Sequence, residues 1–226
     1  MTKDTNGTTI LSAQRSAGGA QMDDLAVKYL PRLHRQAAVG TGDSDAHALT
    51  LFSIAHASRG KTFVELGVRD GGTTLSLLLA AHMNGGKLYS VDINPTGFEC
   101  PPELADSWEF IQSDAVEFLA AWDPDRRMDI VYVDDWHAYP HVKRELELLD
   151  RLVGPSSVIL VHDLMYGNHE PFYHSDISLQ EGQWAHGGPY RAVAELDPQF
   201  WEWSTLPWCE GLTILRKKYS RLYHPR

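Results

Sequence analysis

The regular alternation of strand-like and helix-like segments constrains the fold of this chain more than any other feature of its sequence. The strand-like segments are short and almost continuously apolar, and segments with helical periodicity separate them. Strands of this kind, alternating with helices, indicate a mostly parallel sheet that is covered by helices on both faces. We predict core strands at residues 62–68, 87–93, 108–114, 128–135 and 156–164.

The segments on either side of this core complete the predicted architecture. Helices at 22–38 and 44–58 precede the core, and Pro31 is expected to kink or divide the first of them. After the core, residues 200–207 and 211–218 are predicted as strands separated by a Pro/Gly turn. Their close spacing permits an antiparallel pair at the edge of the sheet.

The length of the chain, 226 residues, is suited to one α/β domain with a substantial core. Residues 1–20 are polar and are expected to form a flexible arm. Residues 164–188 are polar, aromatic and rich in histidine, and this composition indicates a lid or substrate loop. The predicted domain spans 21–226 and is divided into N-terminal helices at 21–59, a cofactor-binding core at 60–163, the lid, and a final helix with edge strands at 189–218.

The charge and composition exclude several classes of partner. A net charge of −10 without a concentration of Lys and Arg argues against a general nucleic-acid binder. The longest apolar runs are too short to cross a membrane and the N-terminus lacks a secretion signal, so a cytoplasmic location is expected. Cys100 and Cys209, the two cysteines, cannot form a disulfide framework. Because the sequence has no CxxC spacing, a thiolate zinc site is not expected. A small molecule is the expected partner, and self-association is left open.

A glycine turn follows the first core strand, in the sequence FVELGVRDGGTT. Gly67, Gly71 and Gly72 allow a tight turn and a close approach to a ligand, and the helix after them presents free N–H groups. The spacing departs from the GxGxxG fingerprint of dinucleotide-binding proteins, and Glu65 and Asp70 would repel a pyrophosphate. A dehydrogenase is therefore disfavoured, and a cationic or hydroxyl-rich ligand is expected.

Acidic residues stand where the predicted core strands end. Ligands on open parallel sheets bind beyond the carboxyl ends of the strands, so these side chains are expected on one rim of the sheet. A single acid at such a position is often a cap or turn residue, and Asp92 is suited either to ribose hydroxyls or to a turn. The strand-end residues are Glu65, Asp92, Asp114, Asp134, Asp135, His162 and Asp163.

Three sequences, VELGVRDGG, SVDIN and QSDAVEFL, resemble motifs of the class I S-adenosylmethionine-dependent methyltransferases. The resemblance extends over roughly residues 60–218. It implies a Rossmann-like α/β fold, with a doubly wound, mostly parallel seven-stranded sheet, a reversed final strand and helices on both faces.

The same resemblance assigns cofactor-binding residues. It implies that Glu65 and Gly67 lie near the aminoacyl part of S-adenosylmethionine, with Gly71 in the same motif. It further implies that Asp92 holds the ribose hydroxyls and that Asp114 approaches the adenine amino group.

A narrower resemblance concerns the segments IVYVDDWHAY and VILVHDL. These are similar to segments of the metal-dependent catechol-type O-methyltransferases and of the group that contains antibiotic sugar O-methyltransferases. The similarity implies that Asp134, His162 and Asp163 hold a divalent cation and that His137 takes the position of the catalytic lysine. Because an Asp-Asn pair of that family is His-Asp here, both Mg²⁺ and a softer ion that accepts imidazole are left open.

The chemistry of methyl transfer explains why these groups are useful. Displacement at a sulfonium needs a deprotonated nucleophile, an in-line approach and the exclusion of water. A cation held by Asp134 and Asp163 would lower the pKa of an acceptor hydroxyl, and His137 would accept its proton as general base. His141 is a competing base. The sequence therefore predicts divalent-metal-assisted O-methylation of a small specialised metabolite.

Two other interpretations keep the same fold. One is a metal-independent methyltransferase in which His137 alone is the base, and the other is a noncatalytic protein that binds the cofactor. The role of the lid histidines is also left open, because His169, His174 and His186 either contact the acceptor or pack the lid against the body.

The charges in KRELELLDR at 143–151 have helical spacing and are expected to need no partner.

Overall fold

The computed structural model describes residues 17–166, 170–171 and 188–218. Most of the predicted N-terminal arm and most of the predicted lid, including its three histidines, lie outside these residues. Within the lid segment, Met165–Tyr166 pairs with Glu170–Pro171 as a short antiparallel ladder. None of the helices in the described ranges is long and apolar enough to cross a membrane.

The centre of the molecule is a seven-stranded sheet in which the strands follow the order β3-β2-β1-β4-β5-β7-β6. Strands β1 to β5 are parallel to one another, and β7 runs antiparallel to both β5 and β6. The predicted mostly parallel sheet with a reversed final strand is thus confirmed. The strands are β1 (Thr62–Leu66), β2 (Lys87–Asp92), β3 (Trp108–Gln112), β4 (Met128–Val133), β5 (Val153–His162), β6 (Trp201–Leu206) and β7 (Leu212–Lys217).

Helices cover both faces of this sheet. They are α1 (Ala17–Val39), α2 (Ala48–Ala57), α3 (Thr74–Met83), α4 (Ala115–Ala121), α5 (Tyr139–Leu152) and α6 (Gly188–Ala194). Short 3₁₀ helices at Asp45–His47 and Pro102–Ser107 precede α2 and β3.

Two hydrophobic cores form because successive strand residues point to opposite faces. In β1, Val64 packs in the core that contains α4, α5 and α6. Its neighbour Phe63 packs in the core that contains α1, α2 and α3. The sheet is therefore buried on both faces, which explains why its parallel strands are almost continuously apolar in sequence.

The first predicted helix contains Pro31, which was expected to kink or divide it. The structure has one continuous helix from Ala17 to Val39, so Pro31 does not divide it. Pro31 lacks the N–H that would bond to the carbonyl of Val27. Val27 is 76% exposed, so water can satisfy that carbonyl and the helix continues.

The strand order also determines where a ligand can bind. Strand β1 has β2 and β3 on one side and β4 and β5 on the other, so the chain reverses its direction of winding between β1 and β4. Crevices at such a switch point, beyond the carboxyl ends of the strands, are the usual ligand sites of open α/β sheets. The predicted strand-end residues lie at, or within two residues of, the carboxyl ends of β1 to β5.

Candidate functional site

The glycine turn brings the ends of β1 and β4 into close contact. Gly67 has φ +86°, and a Cβ atom there would lie 2.2 Å from the carbonyl oxygen of Asp134. Gly71 has φ +80°, and a Cβ atom there would lie 2.4 Å from the ring of Phe98. Both positions thus need glycine for the backbone conformation and for the close approach.

Glu65 lies beneath this turn and does not line the cleft described below. Its side chain is completely buried and accepts hydrogen bonds from Thr73 Oγ1 at 2.7 Å, Thr74 Oγ1 at 2.9 Å and Ser90 Oγ at 2.7 Å. Burial raises the pKa of Glu65 to about 7, and the three hydroxyl donors limit the increase. The carboxyl group therefore joins the turn to the start of α3 and to β2.

Asp92 and Asp114 both line the cleft at the ends of β2 and β3. Asp92 Oδ2 accepts the backbone N–H groups of Val68 and Arg69, and Oδ1 accepts that of Asn94 at 2.8 Å. Burial acts to raise the pKa of Asp92, but these backbone donors outweigh it and lower the pKa below its ordinary value. Asp92 thus supports the glycine turn while Oδ1 retains a free lone pair.

Asp114 is the N-cap of α4. Its Oδ1 accepts the backbone N–H of Glu117 at 3.0 Å, which satisfies one of the free donors at the helix start. The side chain also forms part of the cleft wall. The structural and ligand-binding interpretations of this acid are therefore compatible.

Four side chains predicted for catalysis and metal binding meet at the carboxyl ends of β4 and β5. His137 Nε2 lies 3.2 Å from Asp134 Oδ1 and 2.9 Å from Asp163 Oδ2. His162 Nδ1 lies 3.4 Å from Asp134 Oδ1 and 3.2 Å from Asp163 Oδ1. Each histidine therefore bridges the same two carboxylates. We call these four residues the acid–histidine cluster.

Burial makes the electrostatics of this cluster strong. The side chain of His162 is completely buried, and those of Asp134 and Asp163 are 11% and 9% exposed. Burial alone would lower the pKa of His137, but its contacts with Asp134 and Asp163 raise that pKa to about 9. For Asp134 and Asp163, burial acts to raise the pKa, but the two histidines lower it below the ordinary value.

The donor set of the cluster fits a divalent cation. Neither ring nitrogen of His162 makes a well-aligned hydrogen bond within the described part of the chain, although Nδ1 is directed at both carboxylates. One donor atom each from Asp134, His162 and Asp163 lies within 4.8 Å of the others. Bonds of ~2.0–2.2 Å to one ion, at bond angles of ~90–120°, place neighbouring ligands ~2.8–3.8 Å apart, which matches the separations given above. Asp163 also has φ +63°, a strained conformation of the kind that concentrates at functional sites.

Sequence reasoning did not identify several residues beside the cluster. Tyr132 donates its hydroxyl hydrogen to Asp134 Oδ2 at 2.9 Å and fixes that carboxylate. Arg69 lines the cleft, and its Nη2 donates to both carboxylate oxygens of Asp43, at 2.8 and 2.9 Å. His47 is completely buried, with its ring centroid 5.7 Å from that of His162. The only sequence signal for Tyr132 is its polar hydroxyl in an otherwise apolar strand.

The glycine turn and the acid–histidine cluster border one cleft with a volume of about 540 Å³. The cleft extends from the glycine turn, past Asp92 and Asp114, to Asp134, His137 and Asp163. Its volume is in the range of sites for cofactors and drug-sized ligands. Ile93 and Trp136 add exposed apolar surface to its wall, with exposures of 65% and 48%.

Comparison with known proteins gives a match for the central part of the chain. Residues 64–164 match a family model described as a methyltransferase domain. No curated protein shows significant sequence similarity to the chain. The matched residues run from β1 to just beyond β5 and contain all the strand-end residues named above.

Many solved structures have the same fold. The S-adenosylhomocysteine-bound methyltransferase PaMTH1 from Podospora anserina is 16% identical, with a TM-score of 0.55 and coverage of 93% of this chain and 99% of that chain. The Bacillus cereus O-methyltransferase in complex with S-adenosylhomocysteine is 12% identical, with a TM-score of 0.55 and coverage of 91% and 94%. TomG from Streptomyces achromogenes is 14% identical, with a TM-score of 0.52 and coverage of 92% of each chain.

Identities this low establish the fold and leave the substrate open. Residues 64–164 match a methyltransferase domain, and the strand order and the solved structures give the chain the fold of the class I S-adenosylmethionine-dependent methyltransferases.

Proposed function

We propose that this methyltransferase transfers the methyl group of S-adenosylmethionine to a hydroxyl group of a small specialised metabolite, with assistance from a divalent cation. The observation that carries the proposal is that Gly67 and Asp92 line the same cleft as Asp134, His137 and Asp163 of the acid–histidine cluster. A methyl donor bound beside the glycine turn and an acceptor bound beside the acid–histidine cluster would meet inside this cleft.

Cofactor binding is assigned to the part of the cleft around β1, β2 and β3. Gly67 allows the cofactor to approach the backbone, Asp92 Oδ1 accepts a ribose hydroxyl, and Asp114 accepts from the adenine amino group. Gly71 and the buried Glu65 support this site by fixing the turn. Similar folds in PaMTH1 and TomG hold S-adenosylhomocysteine and S-adenosylmethionine, respectively, which supports the assignment.

The cation is assigned to Asp134, His162 and Asp163. When bound there, a divalent cation lowers the pKa of an acceptor hydroxyl and orients its oxygen. A set of one imidazole and two carboxylates suits Mn²⁺ or Zn²⁺ as well as Mg²⁺. Tyr132 keeps one carboxylate in position through its hydrogen bond to Asp134 Oδ2.

His137 is the assigned general base. Without a cation, its pKa of about 9 means that it carries a proton at neutral pH and cannot accept another. Neutralisation of Asp134 and Asp163 removes the two interactions that raise this pKa, so that His137 becomes competent as a base. The metal-assisted reaction is therefore favoured over the metal-independent alternative.

A specialised metabolite as acceptor is supported by fold similarity to TomG, an O-methyltransferase of tomaymycin synthesis. The test is a turnover assay that follows release of S-adenosylhomocysteine with a panel of catechols and glycosides. The EDTA-treated protein is assayed alone and with Mg²⁺, Mn²⁺ or Zn²⁺. Asp163→Asn is compared with Asp125→Asn, which alters an exposed residue outside the cleft.

We expect turnover to need both a hydroxylated acceptor and one of the ions. Asp163→Asn should abolish this turnover, whereas Asp125→Asn should retain it. Turnover that persists in EDTA but is lost in His137→Gln would favour the metal-independent alternative. Cofactor binding without turnover on any acceptor would favour a noncatalytic binding protein.

A further inference from the structure

A second group of acid and histidine side chains lies beside the acid–histidine cluster and takes no part in the proposed reaction. Asp135 follows β4, and His141 and Glu145 stand one helical turn apart on α5. His141 Nε2 lies 2.9 Å from Asp135 Oδ2 and 3.7 Å from Glu145 Oε1. One donor atom from each of the three residues lies within 4.8 Å of the others.

Glu145 is the unusual member of this group. It is completely buried, and neither of its carboxyl oxygens accepts a hydrogen bond within the described part of the chain. Oδ1 of Asp135 is likewise buried without such a bond. Burial and the nearby charge of Asp135 raise the pKa of Glu145 well above its ordinary value. A buried carboxyl group of this kind is costly unless a proton or a cation compensates it.

The geometry is suited to a cation. An ion with bonds of ~2.0–2.2 Å places its ligands ~2.8–3.8 Å apart for bond angles of ~90–120°. The distances from His141 Nε2 to the two carboxylates, 2.9 and 3.7 Å, fall within that range. Two residues four positions apart on a helix and one residue from the facing loop converge without distortion of α5. One imidazole and two carboxylates form a donor set that suits Zn²⁺.

The position of the group leaves access from solvent. Asp135 and His141 line the cleft, each with 17% of its side chain exposed, whereas Glu145 lies behind them. Three protein ligands on a cleft wall leave a further coordination position open to water or to a small ligand.

We infer that Asp135, His141 and Glu145 form a second divalent-cation site, suited to Zn²⁺ and separate from Asp134, His162 and Asp163. The competing account is a proton shared between Asp135 and Glu145. A shared proton compensates one oxygen of Glu145, whereas a cation engages a donor atom of all three residues, so the cation accounts for more of the arrangement.

The test is a calorimetric titration of the EDTA-treated full chain with Zn²⁺ alone. Glu145→Gln and His141→Gln each remove one ligand of the site. Glu147→Gln on the same helix is the matched control, because the side chain of Glu147 is 52% exposed. Gln at position 145 is nearly isosteric with a protonated Glu, so thermal unfolding without metal should show that the variant retains its fold.

We expect Glu147→Gln to match the wild type. Glu145→Gln and His141→Gln should lose one equivalent of Zn²⁺, or bind it more than roughly 100-fold more weakly, because loss of an outer-sphere partner alone costs ~10–100-fold. An unchanged Zn²⁺ isotherm in both variants would overturn the inference and support the shared proton. If Glu145→Gln fails to fold, His141→Gln decides the question by the same criterion.

The titration also separates this inference from the proposed function. Asp163→Asn should remove a different equivalent of Zn²⁺ and leave the Glu145-dependent one. If Glu145→Gln loses one equivalent of Zn²⁺ while Asp163→Asn binds Zn²⁺ as the wild type does, the result would support the second site and contradict the first.

Discussion

The buried carboxyl group of Glu65 makes a quantitative prediction about stability and pH. Its pKa is about 7 in the folded protein, against an ordinary value of 4.5. Between these pH values the folded chain keeps a proton that the unfolded chain has released. Unfolding therefore releases a proton, and the stabilising contribution of protonated Glu65 is lost as the pH rises through this window.

The size of the effect follows from the width of the window. Each pH unit corresponds to about 1.4 kcal/mol, so the interval from 4.5 to about 7 corresponds to about 3 kcal/mol. No reduction for solvent screening is needed because Glu65 is completely buried. Below the window the contribution is fully present, and above it no further loss occurs.

The perturbation is Glu65→Gln, which keeps the size of the side chain and an acceptor for the hydroxyl groups of Thr73, Thr74 and Ser90. The free energies of unfolding of the wild type and the variant are measured by urea denaturation across the pH range. Subtracting the free energy of unfolding of the wild type from that of the variant at each pH cancels the contributions of the other titrating groups, which both proteins share. Glu99→Gln, at an exposed position, is the control.

We expect Glu65→Gln to gain about 3 kcal/mol relative to the wild type as the pH rises from 4.5 to about 7, and Glu99→Gln to gain nothing. A difference between Glu65→Gln and the wild type that does not change with pH would refute the reasoning. A change of the opposite sign would show that Glu65 is ionised when folded.

Three further predictions concern the cleft. Gly67→Ala should destabilise the protein by roughly 1–3 kcal/mol or more in denaturant titrations and abolish binding of S-adenosylhomocysteine, because the added Cβ meets the carbonyl of Asp134; unchanged stability would contradict the geometry. Asp92→Asn should cost about 1–2 kcal/mol of stability and weaken S-adenosylhomocysteine in calorimetry, since its backbone partners lose a charged acceptor; full cofactor affinity would remove its assigned role. His137→Gln should lower turnover by roughly 10²–10⁴-fold with cofactor affinity intact, and wild-type turnover would exclude His137 as the base.

The core of the fold was predictable because its signals are local and repeated. Strands buried on both faces are continuous apolar runs, and all the core strands formed where they were predicted, with ends shifted by a few residues. Helix α5 begins at Tyr139, because Pro140 is tolerated in a first helical turn. The effect of Pro31 was not predictable in this way, because the local sequence did not reveal that the carbonyl of Val27 is exposed to water and that the helix continues.

The members of the acid–histidine cluster were predictable from the sequence, but their chemistry was not. The carboxyl ends of parallel strands meet at one rim, so the strand-end position was enough to bring Asp134, His162 and Asp163 together. The raised pKa of His137 depends on two partners from different strands, which no single segment shows.

The burial of Glu145 was not predicted, because the charges in KRELELLDR were judged only by their helical spacing and Glu145 is completely buried. Its position three residues after Val142 and four before Leu149 places it on the apolar face of α5. That spacing was the signal available in the sequence.

The most direct test of the central claim is a calorimetric titration of the EDTA-treated protein with S-adenosylhomocysteine, repeated with Mg²⁺ and Mn²⁺ and in the Asp163→Ala variant. The account predicts that S-adenosylhomocysteine binds both proteins and that the wild type shows a metal isotherm that Asp163→Ala lacks. Cofactor binding with no metal isotherm dependent on Asp163 would contradict the metal assignment. No binding of S-adenosylhomocysteine at all would contradict the assignment of the cleft itself.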